Sequence, residues 1–161
     1  MQKVTPFLWF DDQAEQAAAF YTSVFDRSKI VDVMRYTDAG PGERGSVMSV
    51  TFELDGQTFI ALNGGPNPQF AFSPAISFFI HCRTQEEVDT LWEKLGEGGD
   101  RLQCGWLRDK FGVTWQVVPT VLGDMLRDED GMRAARVMRA MMQMCKLDIA
   151  QLRRAYDGEG A

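Results

Sequence analysis

Histidine and cysteine are both scarce in this chain of 161 residues. There is one histidine, His81, and there are three cysteines, Cys82, Cys104 and Cys145. The cysteines are odd in number, far apart and without a C-x-x-C pair, so neither a zinc knuckle nor a disulfide framework is indicated. Free thiols of this kind are typical of a protein in a reducing compartment, and we expect a cytoplasmic location.

Basic residues are also in deficit, with 17 lysines and arginines against 23 aspartates and glutamates and a formal net charge of -6. Nucleic acids and anionic membranes are bound through basic surfaces, so we expect neither as a partner. Arg133, Arg136 and Arg139 lie on one predicted helix, where a solvated face is favoured over a phosphate site. No apolar run approaches the length of a membrane span, and the N-terminal run is shorter than a signal peptide requires.

What the sequence does contain is a regular succession of strand and helix patterns. Hydrophobic residues make up 45% of the chain, which suits one domain whose core needs no disulfides. Asp12 and Glu15 have the spacing of a capping box, and Asp55-Gly56 is a hairpin signal. In the first part of the chain, the predicted elements are a strand over Val4–Phe10, a helix over Asp12–Phe25, and strands over Lys29–Tyr36, Ser46–Leu54 and Gln57–Asn63.

After a loop, a second unit again begins with a strand and a helix, followed by a shorter set of strands. Thr84 and Glu87 again have capping-box spacing. A shift of 72 positions places Phe7 on Phe79 and Glu15 on Glu87, which indicates an internal duplication, although any two strand–helix units align to some degree. The predicted elements are a strand over Ala75–Cys82, a helix over Thr84–Leu95, and strands over Leu102–Leu107 and Val113–Val118.

The C-terminal part has only helical patterning. Asp148 and Gln151 are placed to begin a second short helix there. Methionine is an adaptable filler of cores and interfaces, so this segment is expected to cover the sheet or a partner subunit. The predicted apolar stripe consists of Met138, Met141, Met142, Cys145, Ile149, Leu152 and Tyr156.

Four segments of the chain together resemble a known family. They are TPFLWFDDQAEQAAAFYTSVF, GSVMSVTFELDGQTFIALNGGP, QCGWLRDKFGVTWQVVP and the tail ARVMRAMMQMCKLDIAQLRRAY. They are similar to the PhnB-like branch of the vicinal-oxygen-chelate (glyoxalase/bleomycin-resistance/dioxygenase) superfamily. Members of that branch are often catalogued as 3-demethylubiquinone-9 3-methyltransferase-like.

The resemblance implies an α+β fold in which two βαβββ modules form curved mixed sheets around a cavity. The modules would span residues 1–66 and 75–121 of a glyoxalase-like domain over residues 1–121, followed by a helical tail over 122–161. The resemblance also implies a homodimer, often with modules that pair across subunits. In metal-using members, His, Glu or Gln side chains hold a divalent ion that polarises vicinal oxygens of a substrate.

Carried over to this sequence, the metal-ligand positions of the superfamily fall on Thr5, Ser49, Ser77 and Gln116. Three hydroxyls and one amide offer no negative charge, whereas zinc and hard cations are held by His, Cys or carboxylate groups. We therefore expect neither a catalytic metal nor another cofactor. Alternative ligands would have to come from loops or edges, with Glu43, Glu53 and Asp109 as candidates.

By the same resemblance and by strand phase, one set of side chains is expected to line a ligand cavity. His81 would face it, where a structural histidine is favoured over a general base. Trp9 shares the cavity phase, whereas Trp115 has the opposite phase to Gln116 and should pack under the helices. The predicted cavity residues are Thr5, Phe7, Trp9, Ser49, Thr51, Ser77, Phe79, His81 and Gln116.

Two further motifs have a structural and a functional interpretation. Cys104 has no adjacent Lys or His, so a buried structural cysteine is favoured over a nucleophile or redox thiol. Asn63-Gly64-Gly65-Pro66 offers backbone N–H groups to an anion but lacks a phosphate-loop lysine, so a plain turn is favoured. The glycines of the chain do not form the Gly-rich loop after an early strand that a Rossmann-like methyltransferase needs, so methyltransferase activity is not expected.

Three functions remain open from the sequence. The first is a small-molecule binding protein without a catalytic metal, whose neutral, hydroxyl-bearing cavity suits a neutral aromatic or polar organic ligand. The second is a metal-dependent glyoxalase-like or dioxygenase-like enzyme. The third is a structural dimer that associates through the Met-rich tail.

Overall fold

The computed structural model describes residues 2–159, and the first part of the chain has the predicted order of a strand, a helix and three strands. The outermost residues of the predicted modules and tail, residues 1, 160 and 161, lie outside this range. The chain divides into two units, one running up to Ala71 and one beginning at Phe72. Each unit contains a four-stranded mixed sheet.

The first unit builds its sheet in the order β1-β4-β3-β2. β1 runs parallel to β4, and the other neighbours are antiparallel. On α1, Ala14, Ala17, Ala18 and Tyr21 are buried, and the Tyr21 ring stacks on Phe52 of β3. The elements are β1 (Phe7–Phe10), α1 (Ala14–Val24), β2 (Lys29–Arg35), β3 (Val47–Leu54), β4 (Gln57–Asn63) and a short 3-10 helix (Pro68–Phe70).

The second unit repeats that arrangement, with the order β5-β8-β7-β6 and a parallel pair between β5 and β8. The buried face of α2 consists of Val88, Leu91, Trp92 and Leu95. The predicted α+β fold with two βαβββ modules and a helical C-terminal segment is confirmed. The elements are β5 (Phe78–Cys82), α2 (Gln85–Gly96), β6 (Asp100–Arg101), β7 (Trp106–Arg108), β8 (Thr114–Pro119), α3 (Thr120–Leu126), α4 (Gly131–Met141) and α5 (Ile149–Asp157).

The 72-residue shift agrees with this architecture. It carries β1 onto residues 79–82, which lie within β5, and α1 onto residues 86–96, which lie within α2. Because both the spacing and the strand order repeat, two copies of one strand–helix–sheet unit explain the chain better than chance similarity does.

The predicted strand over Leu102–Leu107 is wrong. The chain forms two residues of β6, turns, and then forms β7 from Trp106. Cys104 and Gly105 have φ values of 59° and 80°, in the left-handed region and outside the extended conformation of a regular strand. The first strand is also shorter than predicted, because it begins after Pro6, which has no N–H to donate to a ladder.

One of the two predicted capping boxes is formed only in part and the other is absent. The Thr84 side chain accepts the Glu87 N–H at 3.2 Å, as predicted, while the Glu87 carboxylate accepts the N–H of Arg83. At α1, the N-cap is Gln13, and no side chain at that position caps the helix. Asn63, at the end of β4, instead accepts the Ala14 N–H at 2.8 Å.

The tail is an integral part of the second unit. Gln85 of α2 donates to the Leu147 carbonyl and accepts the Ile149 N–H. Lys146 donates to Asp89 of α2 at 2.8 Å, and this hydrogen bond holds the pKa of the Asp89 carboxyl below its usual value. Asp148 caps α5 through the Gln151 N–H, as predicted.

The predicted apolar stripe is only partly correct. Met138 is exposed because the buried face of α4 is centred on Val137. Met142 and Cys145 are exposed because α4 ends at Met141 and the helical spacing does not continue to α5. Met141 and Tyr156 pack at the edge of the tail core. The buried residues of that core are Val118, Leu122, Met125, Val137, Met144, Leu147 and Leu152.

Between residues 2 and 159, no helix combines the length and the apolar character needed to cross a membrane.

Candidate functional site

The first sheet has one face packed against α1 and a second face that carries the predicted cavity residues of this unit. Phe7 on this second face is 57% exposed, although phenylalanine is normally buried. Ser49 is buried, and Thr5, Trp9 and Thr51 are half-buried. Two rows of paired residues cross the face, Trp9–Leu62–Ser49 and Phe7–Ile60–Thr51.

Trp9 is held in a fixed orientation on this face. Its Nε1–H donates to the Gly65 carbonyl at 2.9 Å, and its ring meets Phe70 edge-on with centroids 4.8 Å apart. The indole lies against Gly64 so closely that a Cβ there would be 2.2 Å from the ring. These contacts fix the position of the indole, and any larger residue at position 64 would displace it.

The second sheet has a comparable face. Gln116 of β8 lies between Phe79 of β5 and Trp106 of β7 in the sheet register. The Gln116 side-chain amide donates to the Ser77 hydroxyl at 2.9 Å. His81 is exposed, and its ring centroid lies 4.9 Å from that of Phe79.

The nine predicted cavity residues therefore fall into two groups. Five belong to the first unit and four to the second. The strand register places Phe7, Trp9, Ser49 and Thr51 on one face of the first sheet, and Phe79, His81 and Gln116 on one face of the second. Thr5 and Ser77 lie before β1 and β5 and have no partner in the register. That all nine line one cavity remains a prediction.

The predicted metal-ligand positions do not have the chemistry of a metal site. Thr5, Ser49, Ser77 and Gln116 provide three hydroxyls and an amide, and the amide is already hydrogen-bonded to Ser77. In the part of the chain that the structure describes, no three His, Cys, Asp or Glu side chains are grouped so that they could hold an ion. The residues present do not fit the divalent ion that the superfamily implies.

The alternative ligands that the sequence offered are engaged elsewhere or exposed. Glu53 lies 3.5 Å from the Lys29 ammonium, and Glu43 is on the surface. Asp109 is 3% exposed, and its carboxylate accepts the N–H groups of Phe111 and Val113. It also accepts the Trp115 Nε1–H at 2.8 Å.

Asp109 is thus a structural residue that the sequence pattern did not identify as such. Its oxygens organise the turn between β7 and β8 and hold Trp115, which is buried as its strand phase predicted. The Asp-x-x-Gly spacing ending at Gly112 was the available signal, since aspartate commonly hydrogen-bonds to the backbone of its own turn.

An acidic cleft of about 380 Å³ lies elsewhere in the first unit. Asp11, Asp12 and Glu15 line it together with Tyr36, whose hydroxyl donates to the Asn63 carbonyl at 2.6 Å. The Gly64 and Gly65 N–H groups donate to backbone carbonyls of residues 10 and 11, so they are not available to an anion. The Asn63–Pro66 segment is the plain turn that the sequence favoured.

Cys82 is expected to resist thiol reagents in the folded protein. Burial, reinforced by Glu87, raises the pKa of its thiol to about 12, and the thiolate is the reactive form. At about pH 8, a maleimide should label exposed Cys145 fully and leave Cys82 unlabelled, as read by mass spectrometry of the tryptic peptides. Equal labelling of the two cysteines would contradict this assignment.

The same shift has a consequence for stability at alkaline pH. The folded-state pKa lies above the usual value of 9.0, so the unfolded chain loses the proton first as the pH rises. The contribution of Cys82 is complete below about pH 9 and declines as the pH rises towards 12.

Comparison with known proteins places the chain in a family. Residues 2–118 match the family described as 3-demethylubiquinone-9 3-methyltransferase. The chain belongs to this family. Among the solved structures, the PhnB protein of Bacillus cereus carries the same methyltransferase name; it is 43% identical over 74% of this chain and 100% of that chain, with a TM-score of 0.68. The predicted PhnB-like branch is confirmed.

Two further solved structures are more distant. A protein from Pseudomonas aeruginosa is 18% identical, covers 74% of this chain and 98% of its own, and has a TM-score of 0.63, which shows a common fold. A glyoxylase/bleomycin resistance protein/dioxygenase domain from Frankia is 16% identical over 71% of this chain and 94% of its own, with a TM-score of 0.44. No curated protein matches the chain.

The tail lies outside the family match. The match ends at residue 118, and the whole Bacillus cereus protein corresponds to 74% of this chain. The likeness of the tail to the PhnB-like branch therefore remains a prediction, while the family domain itself comprises both sheets.

Proposed function

We propose that this PhnB-like protein binds a small, neutral organic molecule on the exposed faces of its sheets, without a catalytic metal. The observation that carries the proposal is the face of the first sheet. There, an exposed phenylalanine and a fixed tryptophan lie beside two hydroxyl side chains, Ser49 and Thr51. Binding sites for small molecules are mainly apolar, with a few polar groups that fix orientation.

The second sheet supports the same proposal. Phe79 is 49% exposed beside Gln116 and Ser77, which present an amide and a hydroxyl in a hydrogen-bonded pair. These groups recognise a neutral polar atom rather than a full charge, since charged ligands are held by charged partners. Exposed apolar side chains gathered on one face are typical of binding surfaces.

The family name is not the basis of this proposal. Each sheet is mixed and has four strands, unlike the parallel doubly wound sheet with a Gly-rich first turn that binds nucleotide cofactors. A fold alone does not assign chemistry. The free thiols of the chain also support the proposed cytoplasmic location.

Replacing Phe7 by alanine is expected to weaken binding of the neutral dye Nile red about fivefold, because an aromatic contact contributes roughly 1 kcal/mol beyond burial. The exposed side chain contributes little to the core, so the variant should remain folded. Dye fluorescence titration measures the affinity.

Met132→Ala is the matched control, since Met132 is an apolar side chain of the tail that is 73% exposed. It should bind the dye as the parent does. Equal affinity in the Phe7 and Met132 variants, or no dye binding by the parent, would contradict the proposal. Phe79→Ala applies the same test to the second sheet.

A second candidate, a homodimer formed through the tail, is favoured by one observation. Met132, Met138 and Met142 are exposed on the tail, where each is 43% exposed or more. Deletion of the tail cannot test this, because its core includes Val118 of β8. Met138→Glu with Met142→Glu should convert a tail-built dimer to monomer in sedimentation velocity, and an unchanged dimer would count against this interface.

A further inference from the structure

The tail docks on one turn of the second sheet through backbone hydrogen bonds. The Cys104 N–H donates to the Met144 carbonyl at 2.8 Å, and the Gly105 N–H donates to the Cys145 carbonyl at 2.8 Å. A Cβ on Gly105 would lie 3.0 Å from Leu147 Cδ1, so the two segments are in close contact. Two of the three cysteines thus lie on facing segments about 40 residues apart in sequence.

These bonds limit the separation of the two cysteines. With standard bond lengths, the bond from Cys104 N–H to the Met144 carbonyl places the Cα atoms of Cys104 and Cys145 no more than about 7 Å apart. Disulfides usually join Cα atoms about 4.4 to 6.8 Å apart, so this upper limit lies close to the range that a bridge spans.

Neither cysteine is in a disulfide, and the two side chains differ in exposure. Cys145 is exposed, whereas Cys104 is half-buried rather than fully buried as the sequence suggested. The Cys104 Sγ atom lies 3.7 Å from the Met141 carbonyl oxygen and 3.9 Å from the Met142 sulfur, so it points towards the tail.

We propose that Cys104 and Cys145 are a site of reversible oxidation, at which a peroxide converts the two thiols to a disulfide that clamps the tail to the turn before β7. Cys145, the exposed thiol, attacks a peroxide oxygen as the thiolate; the O–O bond breaks, a sulfenic acid forms, and the leaving oxygen takes up the proton that the Cys145 thiol released. Cys104 then attacks that sulfur as the thiolate, the S–O bond breaks, and the leaving hydroxide takes up the proton that the Cys104 thiol released and becomes water. Overall, two thiols lose two electrons and two protons, and the peroxide is reduced.

The site suits a protein of a reducing compartment. Disulfides there are transient and respond to oxidants, and thiol reductants restore the free form. The bond would join the family domain, which contains Cys104, to the tail, which contains Cys145. It would therefore restrict the departure of residues 144–147 from the sheet.

Peptide mapping of the full-length protein tests the proposal. Reduced protein is treated with hydrogen peroxide, alkylated under denaturing conditions and digested with trypsin. We expect a disulfide between the peptides Leu102–Arg108 and Ala140–Lys146, and a fall from three alkylated thiols to one, Cys82. Dithiothreitol should restore three. Thiols that stay free, or that proceed to sulfinic acid without a cross-link, would overturn the proposal.

Three variants and one dilution sharpen this test. Cys145→Ser and Cys104→Ser should each abolish the linked peptide, whereas Cys82→Ala should retain it. Because the disulfide forms within one chain, a tenfold dilution should leave its rate of formation unchanged. A tenfold slower reaction would mean a bond between chains and would overturn the proposal.

Tryptic cleavage after Lys146 should slow several-fold in the oxidised protein, because the disulfide would hold the tail against the turn before β7. Unchanged cleavage would contradict this part of the proposal.

Discussion

Alanine at position 109 is expected to lower the free energy of unfolding by about 3 kcal/mol or more, because each buried donor left without an acceptor costs about 1 to 3 kcal/mol. Asp109 accepts three such donors: two backbone N–H groups of its own turn and the indole N–H of Trp115. The bonds from Val113 and Trp115 are buried, since Asp109, Val113 and Trp115 are each 3% exposed, and the bond from Phe111 is half-buried. Urea denaturation followed by circular dichroism measures the loss.

Asp100→Ala is the matched control for this prediction. Asp100 is also an aspartate of the second sheet, but it is exposed and its carboxylate pairs with Arg108 on the surface. Surface pairs contribute about 1 kcal/mol or less, so this variant should unfold close to the parent. The stability of Asp109→Asn should lie between those of Asp109→Ala and Asp100→Ala, since asparagine keeps one acceptor oxygen. If Asp109→Ala and Asp100→Ala are equally stable, the structural role assigned to Asp109 is wrong.

Truncation of Leu147 to alanine is expected to lower the free energy of unfolding by about 3 kcal/mol, within the range of about 2 to 5 kcal/mol for a buried leucine. Leu147 is fully buried in the tail core, between the turn at Gly105 and the helices of the tail. Its carbonyl also accepts the Gln85 side chain, so the surrounding backbone is fixed and cannot close the cavity. Urea denaturation again measures the loss.

Leu102→Ala provides the comparison, because Leu102 is 42% exposed in the same unit. Leu102→Ala should lower the free energy of unfolding much less than Leu147→Ala does, since little apolar surface leaves the core. A loss at Leu147 no greater than that at Leu102 would show that the tail is only loosely attached. The expected result instead makes the tail part of the folded second unit, although it lies outside the family match.

Much of the fold was predictable because its signals are local. Alternation along Val47–Leu54 and the hairpin at Asp55-Gly56 involve residues that are neighbours in sequence. The face on which Phe7, Trp9 and Ser49 lie followed from strand phase, since alternate side chains point to opposite sides. The absence of metal-ligating side chains at the superfamily positions was also readable directly.

The predictions that were wrong depended on contacts between distant residues. Asp12 has capping-box spacing, yet α1 is capped by Asn63, which is 49 positions from Ala14. Leu102–Leu107 has a strand composition, but Cys104 adopts a left-handed conformation where the tail carbonyls dock. Propensity is a weak signal in such places, because tertiary hydrogen bonds outweigh it.

The sequence by itself determined the two repeated modules, the helical character of the tail and the neutral chemistry of the predicted site. Only the tertiary structure decided how the tail packs, that Asp109 is a structural acceptor and that Cys104 and Cys145 lie on facing segments. The physical reason is that periodicity and residue type act over a few neighbouring positions. Burial and hydrogen bonding between segments about 40 residues apart depend on chain packing, which local patterns do not specify.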